Sequence, residues 1–304
     1  MRKYAAIDIG TNSMRLLLMT VETDRILHRT KEINTTRIGQ SVDERGAITR
    51  EGMERNLGAF EDFVEKAREY GAEEIYAIAT SAVRDAKNGE VFVGEALQRT
   101  GIKIAILSGE EEAGLGYKGV LMGLKNPELE LLVIDIGGGS TEFILGKSAT
   151  LQETISENVG AVRMTERLIT TDPITQQEKE GLEKVIKKEL HSTLQKLQKK
   201  QIKGLIGIGG TITTLGALHQ QLDPYDMDKI HNYTLTLQNI KDLLQKLETL
   251  TLEERKALKG IHPKRGDIII AGTTILRIIM ETLAIDTITI SEYDNIEGLL
   301  YENM

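Results

Sequence analysis

The chain of 304 residues carries a formal charge of −8, is 40% hydrophobic and contains no cysteine. The length suits two domains with a core each, the absence of thiols excludes disulfides, thiolate catalysis and Cys-type zinc sites, and the acidic balance argues against a nucleic-acid binder. No apolar run is long enough to span a bilayer, and the start passes into a strand without the apolar segment of a signal peptide, so a soluble, cytoplasmic protein with no membrane partner is expected.

Tyr4-Ala5-Ala6-Ile7-Asp8-Ile9 reads as a strand, Gly10-Thr11-Asn12-Ser13 as a turn, and Met14-Arg15-Leu16-Leu17-Leu18 as the returning strand. Residues 25–39 suggest a further strand pair. Thr49 caps a helix whose apolar Met53, Leu57, Phe60, Val64 and Ala67 recur at helical spacing until Gly71. The strand 74–79 leads into Thr80-Ser81-Ala82-Val83-Arg84, past a strand's carboxyl end, where ligands sit in α/β sheets. Arg84 is therefore a phosphate candidate, against the ordinary alternative of a solvated arginine. A strand at 102–107 precedes a helix opened by Ser108, with Glu111 three residues on as a capping box. Glu112 is not needed for that cap; by itself it is also the kind of residue that a helix N-terminus favours through its dipole.

The central stretch is Asp135-Ile136-Gly137-Gly138-Gly139-Ser140-Thr141-Glu142, between the apolar runs Leu131–Ile134 and Phe143–Leu145. Three glycines without Cβ let a turn aim its amides at an anion. Carboxylates at both ends of an anion cradle repel unless a divalent cation lies between them and the phosphate. The alternative is a plain hairpin whose carboxylates face water. Against it, Asp8, Ile9, Gly10 and Ser13 repeat Asp135, Ile136, Gly137 and Ser140 at identical spacing. Two related domains would then present their turns to a shared cleft, with Asp8 and Asp135 near the metal. Beyond it, Gly160 starts a short helix, and an amphipathic helix is expected over 175–200, its lysines mixed with glutamates as a solvated face. Gly209-Gly210-Thr211 follows a strand and opens a helix, a ready anion site. Arg265 precedes an apolar helix over 268–283, and the chain closes with a strand at 287–291 and a helix from 295.

Together, Asp8 to Ser13, Ala79 to Ala86, Gly109 to Ala113, Asp135 to Glu142, Gly209-Gly210-Thr211 and Glu297-Gly298-Leu299-Leu300 resemble the exopolyphosphatase and guanosine pentaphosphate phosphatase (Ppx/GppA) family. The resemblance implies an α/β fold, a duplicated actin/hexokinase/Hsp70-like (ribonuclease H-like) architecture of two domains around an interdomain cleft. The first domain is 1–117, with 295–304 returning to it; the second is 118–294. It further implies Mg²⁺, or another divalent cation, as cofactor and hydrolysis of a terminal phosphoanhydride of inorganic polyphosphate. Glu112 matches the family's water-activating glutamate, with Arg84 beside it in catalysis. Asp8, Asp135 and Glu142 match metal-binding positions. Gly10, Thr11, Asn12, Ser13, Arg15, Gly137, Gly138, Gly139, Ser140, Thr141, Gly209, Gly210, Thr211 and Arg265 match positions that hold phosphate or guanosine polyphosphate. Guanosine pentaphosphate is the rival substrate, a phosphate- or nucleotide-sensing regulator the non-catalytic rival, and a phosphotransferase the third. The resemblance is to short members without a C-terminal helical domain, and it alone suggests a homodimer. Gly114 and Asp294 depart from the family pattern, which expects arginine at the first and a glycine-containing turn near the second.

Overall fold

A computed structural model describes residues 1–23, 25–124 and 130–304. The chain divides into two compact units, Met1–Gly119 with Asn295–Met304, and Val120–Asp294. Among the described residues no helix is long and apolar enough to cross a membrane.

The first unit contains strands β1 (Arg2–Ile9), β2 (Met14–Glu22), β3 (Arg25–Asn34), β4 (Glu74–Ala79) and β5 (Ile104–Ile106) in one sheet of order β3-β2-β1-β4-β5. The second contains β6 (Glu130–Ile136), β7 (Thr141–Lys147), β8 (Thr150–Glu157), β9 (Gly204–Ile208), β10 (Thr234–Thr236) and β11 (Thr287–Ile290), ordered β10-β11-β9-β6-β7-β8. Read from its other edge, β8-β7-β6-β9-β11 repeats the first sheet strand for strand. In each, an antiparallel meander of three strands is joined by two parallel ones. This is the duplicated actin-like α/β fold, with β10 added at one edge.

Alternation along β1 decides what faces what. Ala5, Ile7 and Ile9 join the core under the helices Arg50–Tyr70 and Gly89–Thr100, with Leu57, Phe60, Phe63 and Phe92. Tyr4 and Ala6 face the other way, onto Leu115 of the helix Gly109–Gly123 and Ile296, Leu299 and Leu300 of the helix Asn295–Asn303. Asp8 follows in this second series and so lies on the face covered by those two helices. The same alternation in β6 puts Leu132, Ile134 and Ile136 in the second core and Leu131, Val133 and Asp135 on the opposite face. Sheets covered on both sides account for strands that read as continuous apolar runs.

Several helix ends follow from sequence chemistry. Thr49 Oγ1 accepts from Gly52 N at 3.0 Å, and Gly71 closes the same helix at φ +80°. Other elements differ from expectation. Residues 25–39 hold one strand, β3, after which 35–39 fold back onto the β1–β2 turn instead of pairing as a second strand. β8 was not expected: Leu151 is exposed and its neighbours are polar, as suits an edge strand held mainly by its ladder to β7. The helix expected over 175–200 is two, Gln176–Glu189 and His191–Leu197, meeting at buried Leu190. Lys196 and Lys200 both pair with Glu153 on β8, so part of its basic face is already neutralised.

The helix Asn295–Asn303 is fitted closely to the first unit. A Cβ on Gly298 would lie 1.9 Å from Leu115 O, so only glycine permits this approach. One residue earlier, fully buried Glu297 receives Arg29 Nη1 at 3.0 Å and Lys31 Nζ at 2.9 Å from β3.

Candidate active site

Each unit carries a β-hairpin turn of the same construction. In the first, Gly10 N donates to Ser13 O at 3.1 Å; in the second, Gly137 N donates to Ser140 O at 3.0 Å. The duplication thus extends to an individual hydrogen bond. In both, an aspartate near the end of the first strand faces a residue seven positions later: Asp8 opposite Arg15, and Asp135 opposite Glu142. Directly opposed residues share one face of the sheet. The first pair joins unlike charges and the second joins like charges.

Around the first turn, Arg15 Nε lies 2.9 Å and Nη2 2.5 Å from Asp8 Oδ2, and Nη2 also donates to Asn295 Oδ1 at 2.6 Å. Asp8, expected as a metal ligand, therefore has an oxygen engaged by a guanidinium. Arg15, expected at phosphate, is tied into the same pair. The backbone of residues 35–39 braces the turn, Gly39 N donating to Thr11 O and Arg37 N to Asn12 O, each at 2.9 Å. Gly39 leaves room for Thr11, whose Cγ2 would be 2.2 Å from an added Cβ, and Thr11 Oγ1 bonds Ser81 Oγ at 2.8 Å.

Arg84 lies in the last turn of the short helix Ser81–Asp85 after β4. Its Nη1 donates to Leu107 O at 3.0 Å and to Glu112 Oε2 at 3.3 Å, so the backbone just after β5 and the glutamate are held by one guanidinium. Glu112 occupies the first turn of the helix Gly109–Gly123 and is buried. Glu111 caps that helix: its carboxylate accepts from Ser108 N at 2.8 Å, and Ser108 Oγ accepts from Glu111 N at 3.2 Å. Hydrogen bonds donated to it by the Ser108 amide and hydroxyl hold the Glu111 carboxyl below its usual pKa. The two neighbouring glutamates therefore have separate partners, one the helix cap and the other an arginine.

Around the second turn, Asp135 and Glu142 are both buried, and Ser156 Oγ donates to Glu142 Oε1 at 2.8 Å. Gly209, at φ +81°, starts the helix Gly209–Gln220 so close to Asp135 that a Cβ would fall 2.1 Å from Oδ1. A Cβ on Gly210 would fall 1.7 Å from Arg265 Nη1, so the Arg265 guanidinium rests on the first turn of this helix. A cation at a helix N-terminus adds to the positive end of the dipole, an arrangement that a bound anion relieves. The hydroxyls of Thr211 and Thr141 face inward, donating to Ile136 O at 3.1 Å and to Val159 O at 2.5 Å, so both brace the turn.

The carbonyls of the second turn are all engaged. Gly137 O accepts from Ala161 N at 2.9 Å, Gly138 O from Val162 N at 2.8 Å and Arg163 N at 3.1 Å, and Gly139 O from Arg163 Nε at 2.7 Å. The sequence assigns no role to Arg163, Ser156, Ser81, Gly39 or Asn295. Their partners lie 14 to 280 positions away, beyond any local spacing rule. Only the glycine at 160, before a short helix, gave a local sign.

Two hard-oxygen carboxylates on one sheet face suit Mg²⁺ or Mn²⁺, which bind through one or two carboxylates plus substrate phosphates. Among the described residues, no group of three or more His, Cys, Asp or Glu side chains is arranged to hold a metal ion.

A sequence profile of the Ppx/GppA phosphatase family matches residues 21–304. The chain is 36% identical over 311 residues to a bifunctional 3-dehydroquinate synthase/phosphatase of Fusobacterium nucleatum, covering 99% of this chain and 46% of that protein. It thus spans about half the length of that relative. It is 34% identical over 312 residues to exopolyphosphatase 2 of Mycobacterium tuberculosis, covering 98% of this chain and 97% of the relative. Among solved structures, the Aquifex aeolicus member of the Ppx/GppA family superposes with a TM-score of 0.82 at 32% identity, over 99% of this chain and 97% of that one. An exopolyphosphatase from Cytophaga hutchinsonii superposes with a TM-score of 0.93 at 27% identity, over the same shares of the two chains.

Proposed function

The chain belongs to the Ppx/GppA phosphatase family, and we propose that within it the protein is an exopolyphosphatase that releases orthophosphate from the end of inorganic polyphosphate. The observation that carries this reading is the second hairpin: a glycine turn with every carbonyl engaged, flanked by the buried like-charged pair Asp135 and Glu142. Buried carboxylates side by side call for a cation, and a cation beside an amide cradle calls for phosphate.

In the proposed reaction, the terminal phosphoryl is held by the amides of Gly138, Gly139 and Ser140, with Arg265 and the start of the helix Gly209–Gln220 supplying positive potential. Glu112 takes a proton from a water molecule as its oxygen attacks the terminal phosphorus. The bond to the bridging oxygen breaks, and that oxygen leaves on the shortened chain. Arg84 fixes the orientation of Glu112, as a general base requires. A divalent cation held by Asp135 and Glu142 would neutralise charge on the transferred group. Asp8 is left out of this metal set because Arg15 already neutralises it.

Phosphate release from medium-chain polyphosphate and from guanosine pentaphosphate, measured side by side with Mg²⁺, tests the substrate. Faster release from polyphosphate is expected. A reversed preference would make this a guanosine pentaphosphate phosphatase, and tight binding of either without release would make it a sensor.

The metal assignment has its own test. Asp135→Asn and Glu142→Gln should each weaken Mn²⁺ binding, measured by calorimetry, by at least about 10–100-fold, the range for changes to a ligand's mere supporting partners. Asp8→Asn should leave that affinity within a few-fold. Equal losses in all three variants would return Asp8 to the metal.

A further inference from the structure

We infer that Arg163 is a positioning residue for the phosphate turn: its guanidinium fixes the Gly139–Ser140 peptide so that the Ser140 amide is presented to substrate. A trans peptide points its C=O and N–H in opposite directions, so holding the carbonyl aims the following amide. Gly139 O is held by Arg163 Nε at 2.7 Å, while Gly138 O and Gly137 O are held by the first three amides of the helix Ala161–Leu168. The amides of Gly138, Gly139 and Ser140 therefore point away from that helix, and among the described residues they donate to no backbone carbonyl. The helix's leading donors are consumed in the same bonds, which closes its N-terminus to a ligand and leaves the turn as the donor surface. Gly160 makes the contact possible, since a Cβ there would lie 2.4 Å from Gly138 O.

The first unit shows that the side chain is a specific addition. There the carbonyls of Thr11 and Asn12 are held by the backbone amides of Gly39 and Arg37. Asn12 matches Gly139 in the repeat, so the second turn has a side-chain guanidinium where the first has a main-chain donor. Gly139 at one end of the held peptide, with Gly138 before it, offers little intrinsic resistance to its rotation, which is why a side-chain brace matters at Gly139.

The inference rests on reading the turn as a phosphate cradle, and its test separates the two. Arg163→Met removes the donor, whereas Arg163→Gln retains an N–H without the charge. In the unliganded protein, Arg163→Met should shift the Ser140 amide resonance and raise its hydrogen-exchange rate, with Arg163→Gln closer to wild type. In turnover, Arg163→Met should lower kcat/KM on the order of 10²-fold, the effect of a misplacement of about 1 Å, and Arg163→Gln should recover most of it. An unmoved Ser140 amide in Arg163→Met overturns the inference, as does equal loss in both variants, which would mark Arg163 as a direct charge contact. A displaced amide with unchanged turnover would overturn the cradle reading itself. If Arg163→Met does not fold, Gly160→Ala perturbs the same interface and should displace the same amides; an undisturbed turn there would equally overturn the inference.

Discussion

Glu112→Gln is expected to lower kcat by about 10²–10⁴-fold, the usual contribution of a general base, with little change in thermal stability. The substitution keeps the side chain's shape and leaves an amide oxygen to accept from Arg84, so the first turn of the helix Gly109–Gly123 retains its packing. The cap of that helix depends on Ser108 and Glu111, which are untouched. What is lost is the capacity to take a proton. KM for polyphosphate should move little, because the base acts on the attacking water and not on the bound chain. Glu111→Gln is the matched control: it weakens a helix cap and should reduce stability slightly without a comparable loss of turnover. A Glu112→Gln enzyme with near-normal kcat would remove Glu112 from the mechanism.

The largest expected effect on stability is at Glu297. Removing its carboxylate with Glu297→Ala should cost about 3–5 kcal/mol, the penalty for breaking a buried ion pair from one side. The side chain is fully buried, and Arg29 and Lys31 both reach it with side chains only 11% and 7% exposed. The alanine variant removes the buried carboxylate that Arg29 and Lys31 share. Denaturant unfolding would measure the loss, with Glu297→Gln intermediate because it retains an acceptor oxygen. The helix that carries Glu297 also carries Asn295, which receives Arg15. A variant that folds should therefore show altered activity through Arg15 as well as lower stability. A loss below about 1 kcal/mol would place this triad with ordinary surface ion pairs.

Much of the scaffold was legible in the sequence for an identifiable reason. β1 and β6 are buried on both faces, so they stand out as apolar runs, and the turns after them carry glycines at matched spacing. The same repeat anticipated two related sheets, and the strand orders show them. Where the signal was weak, burial was partial. β8 lies at an edge with an exposed pattern, and the helix Leu237–Thr249 passed unnoticed between more conspicuous motifs.

The site divides in the same way. Residue identity and spacing pointed to Asp135, Glu142 and the glycines because their chemistry is local. The braces were invisible because each acts across a long separation: Arg163 on Gly139, Ser81 on Thr11, Asn295 on Arg15. The sequence match between the two hairpins also hid a difference. Position 15 and position 142 are equivalent in register, yet one is arginine and the other glutamate. That change of sign makes Asp8 half of a neutral pair and Asp135 half of an anionic one, and it separates two aspartates that the motif alone treated alike.

In the proposed reaction, water activated by the protein attacks the terminal phosphorus of a polyphosphate chain. The most direct test is turnover of polyphosphate with Mg²⁺ in water enriched in heavy oxygen, followed by mass analysis of the released phosphate. A single labelled oxygen in each orthophosphate set free, from chains shortened at their ends, is the predicted result. Unlabelled phosphate, or phosphoryl groups recovered on an acceptor, would contradict hydrolysis at the terminal phosphorus.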